Sequence, residues 1–158
     1  MAISVRRGTA EDIDAALALY ERSNLARRNG DWPERVERLR RKRELLLARD
    51  SWFRLAFDGG EMVGLAIAEP YQSSDTTDPV VPGACFLNWI SVAPERWGHG
   101  IGGAVLDDFL VDASSRGWER VHLFTNPDNE PSQRLYRSRG FEMTGKMAGH
   151  SREWARTL

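Results

Sequence analysis

The chain has 158 residues, 41% of them hydrophobic and 28% charged, with a formal net charge of −1. That length predicts one domain, residues 1–158, and burying roughly 70% of the unfolded surface gives it a real core. The near-neutral charge argues against nucleic acid or an acidic membrane as partner, no apolar run approaches the ~20 residues that span a bilayer, and the single Cys85 forms no internal disulfide. With no signal-peptide core over Met1 to Arg7, the expected location is cytoplasmic.

Ile3, Val5 and Arg7 alternate with Ser4 and Arg6 as a short strand does. Thr9 reads as an N-cap partnered by Asp12, and Ile13, Leu17 and Tyr20 share one face of the helix that follows. Asp31-Trp32-Pro33 is expected to open a second helix that runs through Leu47, with Val36, Leu39, Leu45 and Leu46 facing inward. Trp52 to Phe57 and Met62 to Ala68 read as strands joined by an Asp58-Gly59-Gly60-Glu61 turn. Residues 70–83 read as a long polar loop, and Ala84 to Val92 as the next strand. A helix from Gly100 to Ser115 buries Ile101, Val105, Phe109 and Ala113, and Gly117 ends it. Glu119 to Phe124 is a strand, and Asn129 to Arg139 is a short helix stopped by Gly140. Phe141 to Met147 and Arg152 to Leu158 form a closing hairpin around Gly149. The order β-α-α-β-β-β-α-β-α-β-β predicts an α/β (α+β) fold, a mixed sheet flanked by helices.

The densest local signal is the loop between the strand ending at Val92 and the helix after it. Gly98, Gly100, Gly102 and Gly103 let the backbone turn tightly and let a ligand approach bare main chain. Loop N–H groups and the open N–H groups of the new helix together make an anion cradle, which points to a bound phosphate. Gly98-x-Gly100-x-x-Gly103 also matches a dinucleotide fingerprint, but the next strand ends at Thr125-Asn126 rather than at a ribose-binding carboxylate. There is no Gly-x-x-x-x-Gly-Lys-[Ser/Thr], which excludes a P-loop.

A second signature follows: Asn129-Glu130-Pro131-Ser132-Gln133-Arg134-Leu135-Tyr136-Arg137-Ser138-Arg139-Gly140-Phe141. Taken with the glycine loop, it closely resembles the GNAT superfamily of N-acetyltransferases, whose members carry a Q/R-x-x-G-x-G/A loop and an N-x-x-(A/S)-x-x-L-Y-x-x-x-G-F segment. The resemblance implies a mostly antiparallel seven-stranded sheet with four helices and splayed central strands, the acyl-CoA N-acyltransferase fold. It implies acetyl-CoA as co-substrate, an amine as acceptor and no metal. It also leaves room for a homodimer through the last strands. Aligned on Gly100 and Gly102, the family's Q/R position holds Trp97, which leaves Arg96 between a phosphate contact and a solvated charge.

By the same resemblance, pantetheine lies along the strand edge at Ile90, Ser91 and Val92. The pyrophosphate sits on Gly98, His99, Gly100, Ile101, Gly102 and Gly103, with Trp97 against the pantetheine or adenine end. His99 and Arg139 are candidate nucleotide-phosphate contacts, and Asn129 and Ser132 candidate cofactor contacts. Tyr136 is the expected general acid, since a well-placed phenol can protonate the leaving thiolate. Asn129 supports it by capping the helix, and a backbone N–H near Val92 is the expected oxyanion donor. The base stays open. Many relatives place a glutamate on the fourth strand, where Leu87-Asn88-Trp89-Ile90-Ser91 has no carboxylate. Glu69, Asp75, Asp78 and His150 are candidates, and an already deprotonated amine served by a water chain needs none.

The acceptor groove implied by the resemblance falls at residues 24–35, 70–83 and 146–152, with Trp32, Trp52, Trp89 and Tyr71 available as an aromatic wall. Arg35, Arg38, Arg40, Arg41, Lys42 and Arg43 crowd one helix; interspersed Glu34, Glu37 and Glu44 favour a solvated, ion-paired face over a nucleic-acid patch. The reading is an acetyl-CoA-dependent N-acetyltransferase acting by direct transfer on a small-molecule amine. A peptide or protein amine acetyltransferase and a non-catalytic acyl-CoA-binding module are the alternatives.

Overall fold

The computed structural model describes residues 2–28, 30, 32–72 and 80–158. Its strands are β1 (Ile3–Arg7), β2 (Trp52–Asp58), β3 (Glu61–Pro70), β4 (Ala84–Val92), β5 (Arg120–Thr125), β6 (Glu142–Ala148) and β7 (Ser151–Thr157). Its helices are α1 (Ile13–Arg27), α2 (Arg35–Leu47), α3 (Ile101–Ser115) and α4 (Glu130–Ser138), with short 3-10 turns at Ala10–Asp12 and Pro94–Arg96. The strands form one mixed seven-stranded sheet in the order β1-β2-β3-β4-β5-β7-β6. Contacts divide the chain into two compact units, Met1–Ala68 with Trp89–Phe109, and Glu69–Asn88 with Leu110–Leu158.

In the first unit β1 and β3 flank β2 in antiparallel register, Val5 opposite Ala56 and Leu55 opposite Leu65. The hairpin turn falls at Gly59-Gly60, as the Asp58-Gly59-Gly60-Glu61 sequence predicts. Ile13, Leu17 and Tyr20 of α1 are all buried, as their shared face predicts. Ile101, Val105 and Phe109 of α3 are buried as well. The approach of α3 to β3 requires Gly64: a Cβ there would lie 2.8 Å from Val105 Cγ2 and 3.1 Å from the Ala56 Cβ.

The start of α2 corrects the sequence expectation. The helix begins at Arg35, and Pro33 lies in the turn before it. The pyrrolidine ring disfavours helical backbone at Trp32, and Glu34 then takes a left-handed φ of 58°. Val36 consequently falls in the first turn and is 77% exposed rather than inward. Leu46 is buried, Leu39 and Leu45 are half-buried, and the long stem of Lys42 occupies the inward face between them.

In the second unit β4 pairs in parallel with β5, but the ladder joins only Ala84–Phe86 to Arg120–His122, although β4 runs on to Val92 and β5 to Thr125. β7 lies antiparallel between β5 and β6. Val121, Leu123, Tyr136, Phe141 and Trp154 make the core there, and the Trp154 indole N–H donates to Thr125 Oγ1 at 2.9 Å. Ala113 is buried as its place on α3 predicts.

Candidate active site

In the first unit, β4 delivers the chain into the glycine loop. The Ala93 N–H donates to the Val63 carbonyl at 2.9 Å, and the Trp97 indole N–H donates to the Val92 carbonyl at 2.9 Å. Gly98 and Gly100 take φ values of 82° and 80°, which L side chains rarely adopt. A Cβ at either would meet nothing within 4 Å, so the backbone conformation, not crowding, demands glycine. Gly102 and Gly103 lie in the first turn of α3, where N–H groups lack intrahelical acceptors. These residues fit a pyrophosphate by main-chain donation, without a positive φ at any non-glycine of the loop.

Side chains around the loop divide sharply. Arg96 donates to Asp58 at 2.6 Å and to Glu61 at 2.7 Å, so its guanidinium ties the 3-10 turn to the β2–β3 hairpin rather than standing as a solvated charge. Those carboxylates raise its already high pKa. His99 Nδ1 lies 3.1 Å from the carbonyls of both Arg96 and Trp97, which makes it the protonated ring nitrogen. Trp97 is 44% exposed. The Ile101 side chain is buried in the core, which leaves only its backbone for a ligand. Ser91 is buried with its hydroxyl unpartnered, while Ile90 and Val92 are half-buried on the same strand.

In the second unit, Asn129 caps α4: its side-chain oxygen accepts from the Ser132 N–H at 3.3 Å, and its carbonyl accepts from the Gln133 N–H. Tyr136, 9% exposed, packs edge-to-face on Phe141 with ring centroids 5.6 Å apart. Arg139 follows the helix end, donating from Nη1 to Ser138 Oγ at 3.0 Å. Glu69 accepts a 2.8 Å hydrogen bond from the Asn88 amide. Asp75 and Asp78 lie outside the described residues, and His150 is exposed in the β6–β7 turn.

Glu153, Tyr71 and His122 form a buried cluster that no local motif announces. Glu153 is buried on β7, accepting from the Tyr71 hydroxyl and, at 2.8 Å, from Thr144 Oγ1. His122 Nδ1 lies 3.5 Å from the same carboxylate, and the His122 ring stacks on Tyr71 at 4.3 Å. Burial lowers the pKa of His122, against the opposing pull of Glu153. Strand alternation places Glu153 opposite buried Trp154 and so predicts a solvent-facing carboxylate; no local signal announces that Tyr71 covers it.

The aromatic-wall candidates separate. Trp52 stacks on Phe109 at 6.2 Å, and Tyr71 belongs to the Glu153 cluster. Trp32 and Trp89 both pack edge-on against Tyr20, at 5.5 and 5.3 Å. Burial pushes the Cys85 thiol up to about 12, which keeps it protonated and unreactive. Among the described residues no group of His, Cys, Asp and Glu could hold a metal ion.

A model of the acetyltransferase (GNAT) family matches residues 13–141. The mycothiol acetyltransferase of Thermobispora bispora is 31% identical over 134 residues, 82% of this chain; the chain spans 43% of that relative's length. The PaiA N-acetyltransferase from Thermoplasma acidophilum, solved in complex with coenzyme A, matches the fold with a TM-score of 0.79 at 16% identity over 100% of both chains. The ribosomal-protein-S18-alanine N-acetyltransferase from Escherichia coli matches with a TM-score of 0.74 at 18% identity, over 99% of this chain and 94% of that one. The seven-stranded mixed sheet, its four helices and the family match across most of the sequence lead to one assignment: the chain belongs to the acetyltransferase (GNAT) family.

Proposed function

We propose that this chain moves an acetyl group from acetyl-CoA to a small-molecule primary amine by direct attack in a ternary complex. The observation that carries the reading is the glycine loop at the end of β4, whose φ values at Gly98 and Gly100 open main-chain N–H groups for an anion. In this reading Gly98 to Gly103 hold the pyrophosphate, while Ile90, Ser91 and Val92 pair with pantetheine as an added strand does. Trp97, His99, Asn129, Ser132 and Arg139 complete the cofactor contacts. Family membership over 13–141 supports treating residues 1–158 as one acetyltransferase domain.

The amine nitrogen forms a bond to the thioester carbonyl carbon and the carbon–sulfur bond breaks. Tyr136 gives its phenolic proton to the departing sulfur, a transfer whose donor and acceptor have similar basicity. A backbone N–H near Val92 stabilises the oxyanion. Glu69 accepts the proton the amine loses, held for that role by the amide of Asn88. Tyr136 is then reprotonated from solvent. The buried, protonated Cys85 thiol supports transfer without an acyl-enzyme.

Pairing of the α2 arginines disfavours a nucleic-acid partner: Arg35 bonds Glu21, Arg40 bonds Glu37 and Glu44, and Arg43 bonds Asp14. A cytoplasmic location is part of the same reading. Among the described residues no helix is long and apolar enough to cross a membrane.

Acetyl-CoA titration by calorimetry, followed by thiol release against a panel of amines, tests the proposal. Binding with amine-dependent release supports it. Binding with no release on any amine or peptide favours a non-catalytic acyl-CoA module, and absence of binding overturns the glycine-loop assignment.

A further inference from the structure

β3 outruns its neighbour β2. The last rung of their ladder joins Ala68 to Trp52, and Glu69, where the second unit begins, lies beyond it. Pro70 follows and has no N–H to give to a ladder. Tyr71 comes next, and it is held by backbone, ring and hydroxyl. Its N–H donates to the Ala84 carbonyl at 3.0 Å, and its own carbonyl accepts from the Val81 N–H at 2.8 Å. Its ring stacks on Phe86 at 5.7 Å and on His122 at 4.3 Å. Phe86 and His122 are the last pair in the β4–β5 ladder, so the ring sits where those strands stop pairing. Its hydroxyl donates to Glu153.

Glu153 is 4% exposed, and a buried carboxylate is unfavourable unless its oxygens are hydrogen-bonded. Tyr71 donates to Oε2, Thr144 donates to Oε1 at 2.8 Å, and His122 Nδ1 lies 3.5 Å from Oε1. Lys146 Nζ stands over the Tyr71 ring at 5.9 Å. An apolar side chain of similar shape would fill the same space without a polar group to satisfy. What the carboxylate adds is direction: it fixes the Tyr71 hydroxyl, and with it the ring, at one place over the Phe86–His122 pair.

We propose that Glu153 and Tyr71 are positioning residues for Glu69: their hydrogen bond fixes the overhanging end of β3, and so the carboxylate that takes the proton of the amine. The inference rests on the reading of Glu69 as the base. Glu69 accepts from the Asn88 amide at 2.8 Å, two residues along β4 from the Phe86 that carries the Tyr71 ring. Between Glu69 and Tyr71 stands Pro70 alone, its φ fixed by the pyrrolidine. A displacement of the Tyr71 ring therefore passes to Glu69 through one stiff residue.

The test reads thiol release from acetyl-CoA with the fastest amine of a panel of primary amines and amino acids. Tyr71→Phe keeps the stacked ring and removes the bond to Glu153. It should lower kcat about 10-fold, as a small misplacement of a catalytic group does, with KM for acetyl-CoA within about twofold. Glu69→Gln should lower kcat about 100-fold. The double variant should be no slower than Glu69→Gln alone, because Tyr71 acts through Glu69. Glu153→Leu should match Tyr71→Phe. Glu153→Gln keeps an oxygen for the Tyr71 hydroxyl and turns its amide to Thr144, whose hydroxyl can accept, so it should recover most of the rate that Glu153→Leu loses. Wild-type kcat in Tyr71→Phe, additive losses in the double variant, or equal losses in Glu153→Gln and Glu153→Leu would each overturn the proposal. Tyr71→Phe carries the test should Glu153→Leu fail to fold. Amide hydrogen exchange over residues 69–71 reads the anchor without substrate. It should be faster in Tyr71→Phe than in the wild type and Glu153→Gln, and equal exchange in all three overturns the anchor. No release on any amine, or an unchanged kcat in Glu69→Gln, would strike the transferase or the base reading and leave exchange to decide the anchor.

Discussion

Arg96 and Asp58 form an ion pair across 2.6 Å, and Glu61 on the other side of the same hairpin takes a second guanidinium nitrogen at 2.7 Å. The arginine nearest the glycine loop therefore ties the 3-10 turn before that loop to the β2–β3 hairpin instead of reaching for phosphate. Arg96→Ala should lower the melting temperature while leaving acetyl-CoA affinity within about threefold, since a pair of this exposure contributes little and binds nothing directly. Thermal unfolding and calorimetry on one preparation separate the two effects, and a large loss of affinity with unchanged stability would restore Arg96 to the phosphate site.

Gly100 should be intolerant of any side chain. At a φ of 80°, Gly100→Ala meets no neighbour, yet strains the backbone by about 1–2 kcal/mol. If the loop relaxes to escape that strain, acetyl-CoA affinity falls about tenfold. A variant that binds acetyl-CoA as the wild type does would show that the loop's conformation is not what holds the anion.

Tyr136→Phe keeps the ring packed on Phe141 and removes only the hydroxyl. The expected result is a fall in kcat of about 100-fold or more with acetyl-CoA affinity within about twofold. Unchanged kcat would reassign Tyr136 to packing alone.

Cys85 should resist thiol-specific alkylation in the folded protein and react fully in urea, because burial pushes its pKa up to about 12. Cys85→Ala should cost about 1 kcal/mol of stability through the small cavity and leave turnover intact. Rapid native labelling that abolishes activity would reopen a covalent route.

His122 makes stability depend on pH. Its folded-state pKa lies below the ordinary 6.5, chiefly through burial. Between those two values the unfolded chain binds a proton the native state refuses, so stability rises with pH across that window and levels off above about pH 6.5. Urea unfolding at intervals from about pH 5 to pH 7.5 should show this slope, and His122→Asn should flatten it. An unchanged slope in the variant would place the titration elsewhere.

Several of these groups were legible from the sequence because their signals are local. Ile101, Val105 and Phe109 recur at helical spacing and are buried together. Asn129 stands one residue before α4 and caps it. Gly59-Gly60 turns β2 into β3. Val36 is exposed although the period of α2 predicts it inward, because the first turn is set by Pro33 and the left-handed Glu34. Arg96 and Glu153 were beyond reach for another reason: their partners, Asp58 and Tyr71, are remote in sequence and meet them only after strand pairing.

By itself the sequence determined the order of elements, the glycine loop and the Asn129–Tyr136 helix, since backbone sterics, capping and amphipathic spacing act within a few residues. Tertiary structure alone decided which charges are paired within the chain and which are buried against it. Arg38 and Arg40 are indistinguishable as letters on one helix, yet Arg40 is neutralised by Glu37 and Glu44 while the Arg38 Nε–H is buried without an acceptor beside Tyr20. The physical reason is that a charged group's role depends on burial and on the partners within a few ångströms, and both are set by how α1, α2 and β4 pack together.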